Sequence, residues 1–322
     1  MNNTPNLCVT IVVVPRESFN MFPDVIERIY AVTSPIFKLL VMEGHAPSTI
    51  RRQLRQIAQR RSSCRIVWSD RWLYPHEAVN QAIPLIDTEY VVFIDNDVEV
   101  LDGWLEALVA CADEEQVGCV HPIYLTTRIT DPSHKIHVAE GKLIRRQHDG
   151  RLFLDSVMPY SGVRLEDYPD RRRKPSDFFE WHCVLFRKQL LETVGLLDDL
   201  TIAEHIDYVL RMEQAKQRIL LEPQAVVAYD YERIWTLRGV DRRYLLYRWS
   251  VAKADESLQR FAAKWNLAPE STARRLYWVK EHSAKVRSTY VLPRVINTVR
   301  RLAGLDNLPL LREPKPDATL AA

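Results

Sequence analysis

Four short runs rich in β-branched and other apolar residues, LCVTIVVV (Leu7–Val14), FKLLVM (Phe37–Met42), RIVW (Arg65–Trp68) and YVVFI (Tyr90–Ile94), alternate with segments of helical period at Asp24–Val32, Ser48–Arg61 and His76–Ile86. A continuous apolar run bounded by polar residues suits a strand covered on both faces, and a helix between successive strands is the connection that parallel strands require. The alternation therefore predicts an α/β fold: a mostly parallel sheet with helices on both faces. In such sheets ligands bind outside the carboxyl ends of the strands.

Beyond Ile94 the pattern predicts a helix over Leu101–Ala112 and a strand around Val117–Leu125, and then dissolves until about Ser176. That stretch holds His134, His137 and the basic run Arg171, Arg172, Arg173, Lys174. A loop of that length in a compact domain is a binding element or disordered. Regularity resumes at Phe178–Phe186 and in a helix over Lys188–Val194 that Gly195 caps. A further helix runs over about Ala203–Gln217 and a strand over Gln224–Tyr229. From Tyr244 the chain reads as helical and basic up to a Pro-rich tail at Pro309–Ala322. The expected division is one α/β domain over 1–240 and a helical basic extension over 241–322.

Composition excludes several classes. The formal charge of +2, from 44 basic and 42 acidic residues, gives no global nucleic-acid signature. The five cysteines are scattered and never form C-x-x-C, which suits reduced, packed thiols and a cytoplasmic setting. No stretch has the apolar length of a membrane span, and Leu7–Val14 has neither basic leader nor small-residue cleavage site, so neither a transmembrane helix nor a signal peptide is expected. None of the nine glycines forms G-x-G-x-x-G or G-x-x-x-x-G-K-[ST], which removes the usual phosphate cradles of dinucleotide oxidoreductases and P-loop NTPases.

The chemistry concentrates where the most apolar strand ends, in TEYVVFIDNDVEVLDGW: Asp95, Asn96 and Asp97, then Glu99 and Asp102. A hard cation such as Mg²⁺ or Mn²⁺ is held by one or two carboxylates, with phosphate oxygens and water completing the shell. Asp95 and Asp97, one residue apart at a strand end, offer such a partial shell. An EF-hand loop drawn through Asp95, Asp97, Glu99 and Glu106 fails because Val100 takes the glycine position and a strand precedes it. A solvated Asp/Asn turn is the plain alternative.

The triplet has company. HEAVNQAIPLIDTEYVVFIDNDVEVLDGWLEALV resembles the central block of glycosyltransferase family 2, the inverting sugar-nucleotide transferases of the GT-A fold, in which an Ala-x-Asn helix precedes a strand ending in Asp-x-Asp. WHCVLFRKQLLETVGLLDDLTIAEHIDYVLRM resembles the family's acceptor block. The resemblance covers about residues 7–232 and is of the non-processive type: Tyr247-Arg248-Trp249 is similar to the Arg-Trp ending of the processive enzymes' Gln-x-x-Arg-Trp, but Leu245 stands in the Gln place.

The resemblance implies a metal-dependent transfer of a sugar from a nucleotide-diphosphate donor, by default a UDP-sugar, to a glycan, lipid-linked or other hydroxyl acceptor. It implies that Asp97 ligates Mn²⁺ or Mg²⁺, that Asp95 contacts the ribose or the metal shell, that Glu43 faces the base, and that Ser69, Asp70 and Arg71 lie near the nucleotide. Where the family has Glu-Asp this chain has Glu204 and His205, leaving either as the general base, with Asp207 as a positioning group. Where the family often has a metal-binding His the chain reads AYDYER, so Asp230 is the candidate oxygen ligand. On a helical wheel Ile206, Val209 and Leu210 share one face, and Glu204, Asp207, Tyr208 and Arg211 lie opposite, which alone would read as a solvated face. The Arg171–Lys174 run is either a phosphate clamp or a solvated basic turn. The rival functions are a non-catalytic GT-A-like nucleotide-sugar-binding module and a sugar nucleotidyltransferase, although VVVPRES lacks the Gly-rich loop of the latter. No nucleic-acid partner is expected. Arg274–Arg301 carries eight Lys/Arg against the single acid Glu281, with aromatics interleaved, a pattern that suits peripheral contact with an anionic membrane surface.

Overall fold

The computed structural model describes residues 9–34, 36–229, 241–288 and 292–303. The alternation of the first half folds as its periodicity dictates, through β1 (Val9–Val14), α1 (Phe22–Val32), β2 (Phe37–Met42), α2 (Ser48–Arg60), β3 (Cys64–Val67), α3 (Pro75–Ala82) and β4 (Tyr90–Asp95). Next come β5 (Val98–Val100), α4 (Trp104–Glu114), β6 (Cys119–Leu125), β7 (Ile136–Val138), β8 (Lys142–His148), β9 (Arg151–Val157) and β10 (Lys174–Pro175). Then follow β11 (Cys183–Arg187), α5 (Lys188–Val194), α6 (Glu204–Gln214), β12 (Ile219–Tyr229), α7 (Asp241–Arg248), α8 (Val251–Trp265), α9 (Glu270–Val286) and α10 (Leu292–Leu302).

The main sheet has the order β10-β12-β6-β11-β4-β1-β2-β3, with β5 on β12 and β7 on β6. The strands β3, β2, β1 and β4 pair in parallel, as does β12 with β6, while β11 runs antiparallel to both β4 and β6. From β12 to β3 the sheet is therefore parallel except for the inserted β11. Every residue of β1 and β4 is buried, which is why both read as unbroken apolar runs. Phe93 meets Trp181 and Phe186 edge-on, and each such fully buried ring contributes about 2–3 kcal/mol through the water it leaves.

Helical crossovers carry the chain from β1 through α1 and α2 outward to β3, then back through α3 to β4 beside β1. That reversal is a topological switch point, and Val14 is in register with Asp95 across it.

The structure departs from the sequence reading in three places. The stretch 126–176 is not formless: it holds β7, β10 and the β8–β9 hairpin, whose turn puts Asp149 at φ 48° and Gly150 at φ 73°, as an Asp-Gly hairpin turn requires. The strand expected from Gln224 begins at Ile219, because Pro223 is absorbed by a register shift between Leu221 and Val226. Helix α6 has no solvated acidic face, since Glu204, Asp207 and Tyr208 are buried along with Ile206, Val209 and Leu210. The four cysteines among the described residues are buried and unpaired.

Candidate active site

The site is built where β1 and β4 end side by side. Asn96 joins them: its N–H donates to Val14 O (2.9 Å), its Oδ1 accepts from Arg16 N–H (2.8 Å), and its Nδ2 donates to Ser18 O (2.5 Å). The middle residue of the triplet is thus a latch on the loop after β1. Gly44, at φ 65°, lets the end of β2 close on that loop, where a Cβ would lie 2.7 Å from Pro15 Cγ. Helix α7 holds the loop from the other side: Asp241 accepts from Ser18 Oγ (3.2 Å) and Phe19 N–H (2.8 Å), and the Tyr244 hydroxyl lies 3.3 Å from Pro15 O.

Four carboxylates and one arginine meet there, all buried. The Arg16 guanidinium lies 3.7 Å from Asp95, 3.6 Å from Glu204 and 3.8 Å from Glu17. Burial works against its charge, but the three carboxylates outweigh that and hold it protonated well above its usual range. Glu17 also accepts from Trp249 Nε1 (2.8 Å). Burial raises the Glu17 carboxyl, against the pull of Arg248 and Arg16. Arg248 itself donates to Thr201 O (2.8 Å) and stacks over the Trp249 ring at 4.8 Å.

On the β11 side of β4, the Asp95 N–H donates to His182 O (3.0 Å). His182 Nδ1 lies 2.8 Å from Asp95 Oδ2. Burial, reinforced by Arg16, lowers the His182 imidazole to about 3, so the ring is neutral and its Nδ1 carries the proton donated to the carboxylate. The ring stacks on Tyr229 at 4.1 Å, and His137, lowered by burial to about 4, lies 5.8 Å from it.

Asp95 is itself raised to about 6 by burial, with Arg16 and Arg248 opposing. Asp97 is raised further, by burial and by the neighbouring Asp95 and Glu17, and neither of its oxygens has a hydrogen-bond partner among the described residues. A buried carboxylate without a donor is costly unless a cation answers it. The donor set of Asp95 and Asp97, all hard oxygen, fits a divalent ion such as Mn²⁺ or Mg²⁺. No group of three or more His, Cys, Asp or Glu side chains forms a fuller shell among the described residues. Asp230 lies outside the described residues.

At the other edge of the site, Ala203 takes the left-handed conformation (φ 65°), unusual for a residue with a Cβ, and so aims the first residues of α6. Glu204 faces Arg16, and its Oε2 has no hydrogen-bond partner among the described residues. His205 Nε2 lies 3.7 Å from Glu180 Oε1. Burial lowers the His205 imidazole to about 4, Glu204 opposes this, and Arg275 of α9 and Arg16 add to it.

Most of the remaining expected residues have partners of their own within the fold. Asp207 is buried and accepts from Trp265 Nε1 (2.8 Å) and Lys264 Nζ (2.7 Å) of α8. Glu43 accepts from the N–H groups of His45 (3.0 Å) and Ser69 (3.1 Å) and from Arg51 (3.2 Å), clasping β2, β3 and α2 together. Asp70 is exposed, and Arg71 pairs with Glu77 at 2.8 Å. In the basic run Arg173 pairs with Glu222 and Glu114 (2.6 Å each), Lys174 with Glu140 (2.9 Å) and Arg172 with Asp170 (3.0 Å), while Arg171 donates to Leu165 O (2.7 Å). These cations are satisfied by the chain itself, and neither reading of them as a phosphate clamp nor as a solvated turn describes Arg173 or Lys174.

Sequence reasoning missed Arg16, Glu17, Glu180, His182 and Arg248. The first two could have been found, since they follow β1 at the strand end where the site was expected. Arg248 was visible only as part of an Arg-Trp pair. Glu180 and His182 carried no local signal.

The mostly parallel α/β sheet, with paired carboxylates at its switch point and a helix N-terminus opposite, is of the GT-A type. Residues 10–195 match the family described as Glycosyl transferase family 2, more than half the chain, and the chain belongs to that family of glycosyltransferases. Two curated relatives, each a pre-mycofactocin glycosyltransferase of Mycobacterium tuberculosis (strains CDC 1551 / Oshkosh and ATCC 25618 / H37Rv), are 25% identical over 169 residues, 51% of this chain and 32% of theirs. The chain thus spans about a third of the length of the curated relatives it matches. Among solved structures, GalNAc-T7 with UDP, GalNAc and Mn²⁺ superposes with a TM-score of 0.56 at 15% identity, over 87% of this chain and 54% of that one. The mannosyltransferase PcManGT from Pyrobaculum calidifontis, in complex with GDP-Man and Mn²⁺, gives 0.51 at 14% identity, over 93% and 80%. At these identities the structural likeness is one of fold.

Proposed function

We propose that this chain is an inverting, divalent-cation-dependent glycosyltransferase that moves a sugar from a nucleotide-diphosphate sugar to an acceptor hydroxyl. The observation that carries the proposal is Asp97, a buried carboxylate with no hydrogen-bond partner among the described residues, beside Asp95 at the switch point. The cation would be held by Asp97 and Asp95, and when bound it supplies Lewis-acid stabilisation of the departing nucleotide diphosphate. Mn²⁺ is the first choice, because it accompanies the nucleotide in both solved neighbours, and Asp230 is the candidate additional ligand.

The residues of the chain have separable tasks. Arg16 balances Asp95 against Glu204, tying the donor side of the site to the acceptor side. Through Nδ1, His182 fixes the orientation of Asp95. His205 is the base: its imidazole is neutral at pH 7, and Glu180, 3.7 Å away, is placed to stabilise the imidazolium that forms. The acceptor oxygen bonds to the anomeric carbon as the bond from that carbon to the diphosphate oxygen breaks, and the hydroxyl proton passes to His205. In-line displacement inverts the configuration. Glu204, ion-paired to Arg16, is the rival base and the weaker one. The basic segment Arg274–Arg301 is proposed to face an anionic membrane, which suits a lipid-linked acceptor.

Turnover with a panel of UDP- and GDP-sugars in Mn²⁺ tests the reading, UDP donors first. With the donor identified, His205→Ala should lower kcat by roughly 10²-fold or more while donor affinity persists. Glu204→Gln should cost less. Normal turnover in both variants would refute the acceptor-site assignment.

A further inference from the structure

Helix α10 is built inside out for a soluble protein. Leu292, Val295, Val299 and Leu302 fall on one stripe at i, i+3, i+7 and i+10, and they are 52%, 52%, 58% and 85% exposed. On the opposite side Asn297 is buried, at 5%, and Arg300 is half-buried. A surface helix normally turns its apolar stripe to the core and its polar face to water. Here Ile296, Asn297 and Arg300 meet the protein, and the stripe of Leu292, Val295, Val299 and Leu302 is presented outward.

Helix α9 does not share this arrangement. Its Val279, His282, Ser283 and Val286 are buried, and Trp278 and His282 pack on Trp249 at 4.9 Å each, so α9 is fastened to the body of the protein. It still leaves Tyr277 61% exposed, with Arg274, Lys280, Lys285 and Arg287 at the surface.

We infer that α10 is an interfacial helix whose Leu292–Val295–Val299–Leu302 stripe inserts into the surface of an anionic phospholipid bilayer. The inference deepens the membrane-facing part of the proposed function. Two observations select this occupant. The stripe is apolar and narrow, which suits burial to the depth of the headgroup boundary, and no helix among the described residues is long and apolar enough to cross a membrane. The flanking charge is mainly of one sign: from Arg274 to Ala303 the sequence has eight Lys/Arg and one acid, with Arg274 paired to Asp155 at 2.7 Å, and α10 has no acid at all. Anionic headgroups complement that charge, whereas a second copy of the chain would set like charges against each other.

The test is co-sedimentation of the full chain with vesicles of phosphatidylcholine alone and of phosphatidylcholine with phosphatidylglycerol, at low and high salt, alongside Val295→Asp and Val299→Asp. Both positions are exposed, so the fold tolerates the changes, and unchanged thermal melting verifies it. The expected result is binding to the anionic vesicles only, weakened by salt, with each Asp variant lowering the partition coefficient by roughly tenfold or more. Equal binding by wild type and variants would overturn the inference, as would no binding to either vesicle. A wild-type dimer in solution that the Asp variants convert to monomer would also overturn it, because the stripe would then bind a second copy. Turnover of a soluble acceptor, measured on the same preparations, should be unchanged by the Asp variants, so that failure of the membrane inference is separable from failure of the glycosyltransferase reading.

Discussion

Replacing Arg16 with Met removes the cation that faces Asp95, Glu204 and Glu17 at 3.7, 3.6 and 3.8 Å, while the methionine fills much of the volume. Breaking a buried ion pair by deleting one partner costs about 3–5 kcal/mol. Two features limit the loss here. Arg248 still acts on Glu17 and Asp95, and Asp95, already raised to about 6, can take a proton at pH 7 for about 1.4 kcal/mol. The expected cost is therefore near the lower bound, about 3 kcal/mol at pH 7.5, or roughly 6 °C in Tm for a chain of this size. The pH dependence has a defined sign. Because the folded pKa of Asp95 is above its usual 3.8, its contribution is fully present below that value and is lost as pH rises towards about 6. Without Arg16 the folded pKa rises further, so the window of loss moves upward and the penalty of the substitution grows from pH 5.5 to pH 7.5. Urea denaturation at both pH values measures it, and adding Glu204→Gln to Arg16→Met should recover part of the loss. A melting point within about 1 °C of wild type at pH 7.5, or a penalty that shrinks as pH rises, would refute the role of Arg16 as the common counter-ion.

Arg173→Met should destabilise the fold by about 3 kcal/mol, because it leaves the buried Glu222 without its 2.6 Å partner, yet it should not alter nucleotide-diphosphate affinity. A loss of nucleotide affinity at unchanged stability would instead make it a phosphate clamp. His121 is fully buried, its imidazole is lowered by burial to about 4, and it lies in the core rather than at the site, stacked 5.7 Å from Tyr124. A folded pKa below 6.5 means that stability is lost as pH falls from 6.5 towards 4, so His121→Phe should flatten acid unfolding in that window by up to about 1.4 kcal/mol per pH unit. An unchanged slope in urea melts between pH 6.5 and 4 would contradict the assignment.

What the sequence made legible follows from how far each signal reaches along the chain. Buried parallel strands announce themselves locally, so β1, β2 and β4 could be read from apolar runs, and the carboxylates at the end of β4 stood out because charge rarely follows such a run. The Asp149-Gly150 turn was equally local and passed unused, although its backbone signal is among the strongest short ones. The partners of Asp95 were not legible in that way. Arg16 is adjacent through strand pairing, His182 arrives on an antiparallel strand, and Arg248 comes from a helix more than 150 residues on. Only the tertiary fold brings them together. The solvated face expected of α6 failed for a related reason: a helix that donates Glu204 to a buried arginine and Asp207 to α8 is buried on its polar side too.

The central claim is that Asp97 answers a divalent cation that a nucleotide diphosphate shares, and electron paramagnetic resonance of free Mn²⁺ tests it directly. Titrating wild type and Asp97→Asn with Mn²⁺ in the presence of UDP or GDP, after correction for Mn²⁺ bound to nucleotide alone, counts the ions taken up by the protein. The account predicts one strongly bound Mn²⁺ per wild-type chain with the matching nucleotide and its loss in Asp97→Asn, the variant retaining the wild-type melting temperature in the absence of ligand or exceeding it, because a buried carboxylate without a hydrogen-bond partner among the described residues has been neutralised. Equal uptake of Mn²⁺ by the two proteins, or none by either with any nucleotide, would contradict it.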